Sequence, residues 1–198
     1  MRVYLAGPDV FLPDPLARGA ALKAVCARYG LVGVFPLDPL ADEPAGWATL
    51  PEWRRIALRN EAHIAGAVAL IANLTPFRGP SADAGTVFEL GYMRALGRPV
   101  FGWSASGEPF DARTRRVGAT CGPDGVWRDA EGLALESFGC CDNLMIDGAV
   151  LASGGVLERE ELPPERRWSD LAPFERCVAR AAHALATLAC SGTRGDIS

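Results

Sequence analysis

The sequence predicts an α/β fold, with a doubly wound parallel sheet that carries helices on both faces. Short apolar runs typical of buried strands alternate with segments whose apolar residues recur at helical spacing. The 198 residues are enough for one domain with a proper core. A composition of 49% hydrophobic and 22% charged residues is ordinary for a globular protein. We therefore expect a single domain over residues 1–198.

The N-terminal part of the chain predicts two strands around one helix. "RVYLAG" (2–7) is a short apolar run that ends in Gly-Pro, which indicates a buried strand. "PLARGAALKAVCARYG" (15–30) has apolar residues at helical spacing, and Gly30 suits a helix C-terminus. "LVGVF" (31–35), closed by a proline, predicts the second strand.

The alternation then continues through the middle of the chain. A stretch rich in Pro, Asp and Ala (36–51) predicts a loop. "EWRRIALRNEAHIAGA" (52–67) predicts a helix that leads into the strand "AVALIANL" (67–74). A helix at about 84–97 and the strand "RPVFGW" (98–103) follow after another loop.

Residues 104–148 interrupt this rhythm. "VWRDAEGLALESFG" predicts a hairpin with a turn near Glu131-Gly132, so we interpret 104–148 as an insertion over the functional site, before the C-terminal helix. That amphipathic helix, at about 170–189, should pack back on the sheet, and the tail 191–198 should fray.

Ligands of such sheets bind beyond the carboxyl ends of the strands, where the strand order switches. The loops that should share this edge are 6–14, 36–50, 74–85 and the loop after 103.

Composition argues against several classes of function. A net charge of −4 provides no basic field for nucleic acid, and no apolar run approaches the roughly 20 residues that span a membrane. No charged leader precedes the first strand, so we expect a cytoplasmic protein. Six cysteines show no CxxC pair and only two histidines are present, so we expect no metal site and assign the cysteines no chemistry.

Glu89 is the most informative side chain, because it lies in the apolar helical segment "SADAGTVFELGYMRALGRPV" (81–100). Its neighbours at three and four residues along a helix include no basic partner: Gly85, Thr86, Tyr92 and Met93. The helix dipole favours an ionised group near the ligand edge, whereas apolar neighbours raise its pKa. An ionised but poorly solvated carboxylate suits a nucleophile.

Asp83 precedes the same helix, where it either caps the N-terminus or acts with Glu89 as a second carboxylate. Glycosyl chemistry suits such a pair, since one carboxylate attacks the anomeric carbon while another acidic group protonates the departing group. Tyr4, in the first strand, is either a core aromatic or a phenol that orients Glu89. "GTVFE" lacks a Walker lysine and no GxGxxG follows the first strand, which disfavours nucleotide-phosphate sites.

Three blocks together, "VYLAGPDVF", "ANLTPFRGPSADAGTVFELGYMRALGRPV" and "DNLM", resemble the nucleoside 2-deoxyribosyltransferase family from about residue 3 to 148. The resemblance implies a flavodoxin-like fold with a five-stranded parallel sheet. It also implies a reaction of nucleotide salvage, in which a 2-deoxyribosyl group moves between nucleobases by double displacement with net retention. The substrates would be 2'-deoxynucleosides and free nucleobases, without a cofactor.

The resemblance also assigns residues. Glu89 matches the nucleophile, Asp83 an acidic residue that contacts substrate, and Tyr4 the tyrosine that positions the nucleophile. Asn143 and Met145 match a segment that reaches into the neighbouring subunit's site. The protein would then be a homodimer or a higher homo-oligomer with shared active sites.

Phe11 and Gly85 are further expected substrate contacts. The sequence departs from the family pattern at a second acidic position, where it has "RNEAHI". Either Asn60 or Glu61 occupies that place; Asn60 has the better spacing from Ile64, but an amide is a poor proton donor.

Two alternatives stay open. An N-glycosidase of the same fold would hydrolyse 2'-deoxynucleosides or their 5'-monophosphates, although Asp9 and Asp14 near the first strand disfavour a phosphate. The phosphoribohydrolases that activate cytokinins share the Gly85, Thr86 and Glu89 element, but the preceding Pro-Gly-Gly is absent. A non-catalytic nucleoside-binding module is the second alternative.

Overall fold

The computed structural model describes residues 1–192, in which five parallel strands form a sheet with helices on both faces and two short strands form a separate hairpin. The strands are β1 (Arg2–Ala6), β2 (Val32–Val34), β3 (Ala69–Asn73), β4 (Val100–Ser104), β5 (Thr120–Cys121), β6 (Trp127–Arg128) and β7 (Leu157–Arg159). The helices are α1 (Pro15–Arg28), α2 (Glu52–Ala65), α3 (Ala84–Ala95), α4 (Phe110–Arg116), α5 (Leu144–Ala152) and α6 (Ala172–Gly192).

The strand order in the sheet is β2-β1-β3-β4-β7, and every pairing is parallel. This is the order of flavodoxin-like doubly wound sheets, so the predicted fold class is confirmed. The chain passes from β1 to β2 on one side and returns to β3 on the other side of β1. This reversal opens a crevice between the carboxyl ends of β1 and β3, where such sheets bind ligands.

Alternation along β1 divides the core into two layers. Val3 and Leu5 pack with α1 and α6 on one face, in a cluster that includes Phe174. Tyr4 and Ala6 pack on the other face with residues of α2, α3 and α5. Because successive side chains of a strand point to opposite faces, Tyr4 shares its face with α3.

Every helix and strand predicted from the local pattern is present, with ends shifted by a few residues. Gly30, at φ +72°, follows α1 in the left-handed conformation that its prediction as a helix end requires. Four of these helices and strands had no sequence prediction: α4, α5, β5 and β7. The fifth strand of the sheet, expected only from the family resemblance, is β7 at the edge beside β4.

The hairpin of residues 104–148 differs in part from its prediction. Its ladder joins β5 to β6, with the turn before Trp127 rather than after it. The chain then turns again at Gly132, close to the predicted position, and Arg128 forms a bridge with Ala134. The hairpin does not lead directly into the C-terminal helix, because α5 and β7 come between them.

Of the tail expected at 191–198, Ser191 and Gly192 end α6, and residues 193–198 lie outside the described part of the chain. Among the helices of residues 1–192, none is both long enough and apolar enough to cross a bilayer.

Candidate active site

A cavity of about 290 Å³ lies at the crevice between β1 and β3. The residues that line it come from the loops after β1 and β2, from α2 and from the start of α3: Gly7, Val10, Phe11, Pro36, Leu37, Ile56, Arg59, Asn60, Asp83, Gly85, Thr86 and Glu89. Five of the residues predicted from the sequence are therefore brought together here. Of the four loops expected to share this edge, 6–14, 36–50 and 74–85 contribute to the lining, whereas the loop after 103 does not.

Glu89 lies in the second turn of α3 and is only 9% exposed. The fully buried Tyr4 donates a hydrogen bond from its hydroxyl to Glu89 Oε1 at 2.7 Å. This contact joins the middle of β1 to α3 across the core layer that the two elements share. It fixes one oxygen of the carboxylate and leaves the side chain facing the cavity.

Asn60 provides the second contact to Glu89. Its Nδ2 donates to the same oxygen, Oε1, at 3.2 Å, while its own Oδ1 is buried without a hydrogen-bond partner in residues 1–192. Glu61 instead borders a smaller cavity of about 200 Å³ that Glu89 also touches. Of the two residues that the sequence left open, Asn60 is the one in the main cavity with Glu89.

The Glu89 carboxyl has a pKa raised from its ordinary value to about 7. Burial is the main cause, because it removes water from the charged form, and the negative charge of Asp83 adds to it. The hydrogen bonds from Tyr4 and Asn60 act in the opposite direction, since they stabilise the carboxylate. Burial also raises the pKa of Tyr4 far above the usual range of a phenol, so this side chain stays a protonated donor.

Asp83 caps the N-terminus of α3. Its Oδ2 accepts hydrogen bonds from the Thr86 backbone N–H at 3.0 Å and from the Thr86 hydroxyl at 3.1 Å. A β-carbon at Gly85 would lie 3.1 Å from the same oxygen, so the glycine leaves room for the carboxylate. Asp83 can therefore cap the helix and belong to the candidate site at the same time, because the cap residue also lines the cavity.

Phe11 marks the mouth of the cavity. Its ring is 56% exposed and stacks on Phe77, with centroids 5.4 Å apart, and the Arg78 guanidinium lies over both rings. Phe11 also borders a neighbouring cavity of about 310 Å³ that Trp168 helps to line. Phe11 thus borders both cavities.

Asn143 and Met145 lie elsewhere on the chain. Asn143 caps α5, accepting from the Met145 backbone N–H at 3.0 Å, and its amide donates to Glu136. Met145 is 71% exposed and lines a groove of about 780 Å³ between α3 and α5. Within one chain, neither side chain lines the cavity around Glu89.

The sequence interpretation of Asp9 needs correction. Asp9 is 2% exposed, and its carboxylate accepts from Arg18 at 2.7 Å and from Asn73 at 2.8 Å. Because Arg18 neutralises this charge, Asp9 does not argue against an anionic ligand. Asp14 has a structural role as well, since it caps α1 by accepting from the Ala17 backbone N–H.

Arg59 is the residue of the cavity that the sequence analysis missed. The available signal was its helical spacing from Ile56, which places both residues on the side of α2 that faces the cavity. An arginine on a helix is ordinarily a solvated surface residue, so the spacing alone did not distinguish it from its neighbours Arg54 and Arg55.

The family model described as nucleoside 2-deoxyribosyltransferase matches residues 3–145 of this chain. A 2-desoxiribosyltransferase from Leishmania mexicana is 32% identical, over 73% of this chain and 84% of that one, with a TM-score of 0.56. A conserved protein from Enterococcus faecalis V583, 20% identical over 91% of this chain and 98% of that one, has the same fold at a TM-score of 0.52.

An uncharacterized protein from Schizosaccharomyces pombe is 34% identical over 169 residues, which are 78% of this chain and 79% of that one. The family model covers more than half of the chain, and the 2-desoxiribosyltransferase from Leishmania mexicana agrees with it. The chain belongs to the nucleoside 2-deoxyribosyltransferase family.

Proposed function

We propose that the protein transfers a 2-deoxyribosyl group between nucleobases through a covalent intermediate on Glu89, with net retention of configuration. The observation that carries this proposal is a buried carboxylate held by two uncharged donors at the ligand edge of the sheet. Both donors bind Oε1, and Oε2 has no hydrogen bond from residues 1–192. One oxygen is therefore anchored while the other is available to react.

The reaction needs two displacements at the same carbon. Oε2 attacks C1' of the donor nucleoside, and the C1'–N bond breaks with its electron pair leaving on the base. A ring nitrogen of the second base then attacks C1' and releases the carboxylate of Glu89. Each step inverts C1', so the product keeps the configuration of the donor.

A 2-deoxy sugar suits this cavity. Without the electron-withdrawing 2'-hydroxyl, positive charge develops more easily at C1' as the bond to the base lengthens. A carboxylate with little water around it stabilises that charge strongly, because the local dielectric is low. The site has such a carboxylate in Glu89, with Tyr4 and Asn60 holding it in place.

The sites are shared between two copies of the chain in this proposal. The groove between α3 and α5 is lined by exposed apolar side chains of α5, with Leu144 at 40% and Met145 at 71% exposure. Apolar patches of this kind mark protein–protein contacts. A second copy that covers the groove would bring Asn143 and Met145 to its partner's cavity, and neither residue lines the cavity of its own chain.

The activity is tested by mixing the purified protein with 2'-deoxyinosine and adenine in the absence of phosphate and separating the products by chromatography. Deoxyadenosine should form from deoxyinosine but not from the control inosine, and thymidine as a second donor tests whether pyrimidines are accepted. Hypoxanthine and free deoxyribose as the only products would make the protein an N-glycosidase. No reaction with any donor, 5'-monophosphates included, would leave a binding module.

Glu89→Gln should abolish transfer and stabilise the fold at alkaline pH. The amide keeps the shape of the side chain but is no nucleophile, so the rate should fall by roughly three orders of magnitude or more. The pKa of Glu89 is about 7 in the native state and near 4.5 in the unfolded state. Between these two pH values the native state holds a proton on Glu89 that the unfolded state has lost. The free energy of unfolding therefore falls as the pH rises through this range, because the native protein must ionise a buried group. Urea unfolding should show a gain of about 1–3 kcal/mol at pH 8 and none at pH 4.

Glu61→Gln is the matched control, because Glu61 follows Asn60 on α2 without bonding to Glu89. This variant should keep its activity and show no such pH-dependent gain. Transfer by the Glu89 variant at a rate near that of the unmodified protein would contradict the role of Glu89.

Tyr4→Phe should move the pH dependence of the reaction. The first step needs ionised Glu89, so kcat/KM should rise with pH and level off above about 7. Loss of the Tyr4 hydroxyl removes a hydrogen bond to the charged form, which raises the pKa of Glu89 further. The rising limb should move to higher pH by about one unit. A pH–rate profile with an unchanged limb would mean that Tyr4 only fills space.

Met145→Asp should convert the protein to monomers and lower transfer at least tenfold, because a charge in the apolar groove would be buried against the second copy. The matched control is Val117→Asp, since Val117 is also 71% exposed but lies outside the groove. Light scattering after gel filtration measures the mass of each variant. A Met145 variant that stays oligomeric and active would exclude a shared site at this surface.

A further inference from the structure

The proposed reaction moves a negative charge across the cavity. When Glu89 Oε2 bonds to C1', the carboxylate becomes an ester and loses its charge. The electron pair of the broken C1'–N bond then resides on the departing base. Unless an acid protonates that base as it leaves, it departs as an anion and needs stabilisation of its own.

The acidic groups around the cavity are poorly placed to give this proton. Asp83 is engaged at the N-terminus of α3, where its Oδ2 accepts two hydrogen bonds from Thr86. Asn60, in the main cavity at the position that was open for a second acid, is an amide that donates a hydrogen bond but no proton. Tyr4 is buried, and its proton is held in the bond to Glu89.

Arg59 is the cationic side chain among the residues that line this cavity. It precedes Asn60 on α2, and its Nε is buried without a hydrogen-bond partner in the described part of the chain. None of the ion pairs within residues 1–192 includes its guanidinium. A buried donor left unpaired costs stability, and among the described arginines with an unpaired buried Nε it is Arg59 that lines this cavity.

The charge of Arg59 also acts on the reacting groups. It lowers the pKa of Tyr4, against the larger effect of burial, which places the guanidinium within electrostatic reach of the Tyr4–Glu89 pair. Yet Glu89 takes its hydrogen bonds from Tyr4 and Asn60 and forms no ion pair with Arg59. The cation is thus near the nucleophile without neutralising it.

We propose that Arg59 binds the nucleobase and stabilises the negative charge that the base gains as the C1'–N bond breaks. This inference rests on the proposed transfer reaction. A guanidinium stays protonated and donates several hydrogen bonds in one plane, so it stabilises an anion without giving up a proton. The base leaves as an anion, with its charge spread over the ring nitrogens and any exocyclic oxygen, and takes its proton from solvent.

The same contact serves the second half of the reaction. The incoming base loses its ring proton to solvent, and Arg59 stabilises the anion that then attacks C1'. A base with an exocyclic oxygen offers the guanidinium a hydrogen-bond acceptor in addition to the negative charge of the anion. The preferred substrates are therefore nucleosides of oxo-bases, with 6-oxopurines favoured over adenine as the departing group.

The test compares two donors that differ in the charge of the departing base. Hypoxanthine leaves 2'-deoxyinosine as an anion, whereas the base of 7-methyl-2'-deoxyguanosine already carries a positive charge and leaves neutral. Arg59→Gln should lower kcat/KM for deoxyinosine by about 100-fold or more, and that for the methylated donor by less than about tenfold. Arg59→Lys keeps the charge, so its kcat/KM for deoxyinosine should lie between the values of Arg59→Gln and the unmodified protein.

The control is Arg54→Gln, since Arg54 is an exposed arginine on the same helix and outside the cavity. It should leave both rates unchanged. An equal loss with both donors in the Arg59 variant would assign the residue to the sugar or to the fold, and no loss with either donor would remove it from the reaction. Both results overturn the proposal.

Binding of free hypoxanthine, measured by calorimetry, separates this inference from the transfer reaction itself. Arg59→Gln should weaken that binding at least about tenfold, with the larger loss at a pH where hypoxanthine is an anion. If the protein is inactive but binds hypoxanthine, and Arg59→Gln weakens this binding, the transfer reaction is disproved and the assignment of Arg59 to the nucleobase stands. An active protein whose Arg59 variant binds hypoxanthine equally well, or a protein that does not bind it, would overturn the inference.

Discussion

The buried carboxylate of Glu89 is the constraint on which the rest of the site depends. Burial raises its pKa to about 7, and two uncharged donors, Tyr4 and Asn60, limit that rise. A lysine or arginine in their place would stabilise the charged form much more and would lower the basicity of the carboxylate. Uncharged donors keep the group at a pKa where it is ionised for a large part of the time near neutral pH and still poorly solvated. Such a carboxylate is held firmly in place and remains reactive.

The fold provides this arrangement through contacts that lie behind the cavity. Gly7 ends β1 against Asn73 of β3, and a β-carbon at Gly7 would lie only 2.8 Å from that of Asn73. Asn73 in turn donates to Asp9, which Arg18 of α1 also binds, so the turn that follows β1 and carries Phe11 is tied to β3 and to α1. The two strands at the reversal of strand order are thereby joined by a buried polar network, and the crevice between them keeps its shape.

Local sequence pattern was sufficient for every helix and strand that builds the cavity, and those that it missed lie outside the cavity. The strands around Tyr4 and the helix of Glu89 have clear periodicity, whereas β7 has three half-exposed or exposed residues and no apolar pattern to detect. The choice between Asn60 and Glu61 depended on the rotation of α2 about its axis. Adjacent helical residues differ by about 100°, and only packing of α2 against the sheet and α3 determines which of them faces Glu89. Arg59 was missed for the same reason, because its role follows from that rotation.

In the proposed reaction, the position of Arg59 lets one site hold a nucleophile and a cation together. An ion pair between Arg59 and Glu89 would stabilise the ground state, which raises the barrier to attack. Glu89 is instead bound by Tyr4 and Asn60, and the guanidinium has no partner in the described chain. In the proposed reaction, the charge leaves Glu89 and appears on the base as the glycosidic bond breaks, so the favourable interaction with Arg59 grows along the reaction coordinate. Stabilisation that is larger in the transition state than in the starting complex is the kind that accelerates a reaction.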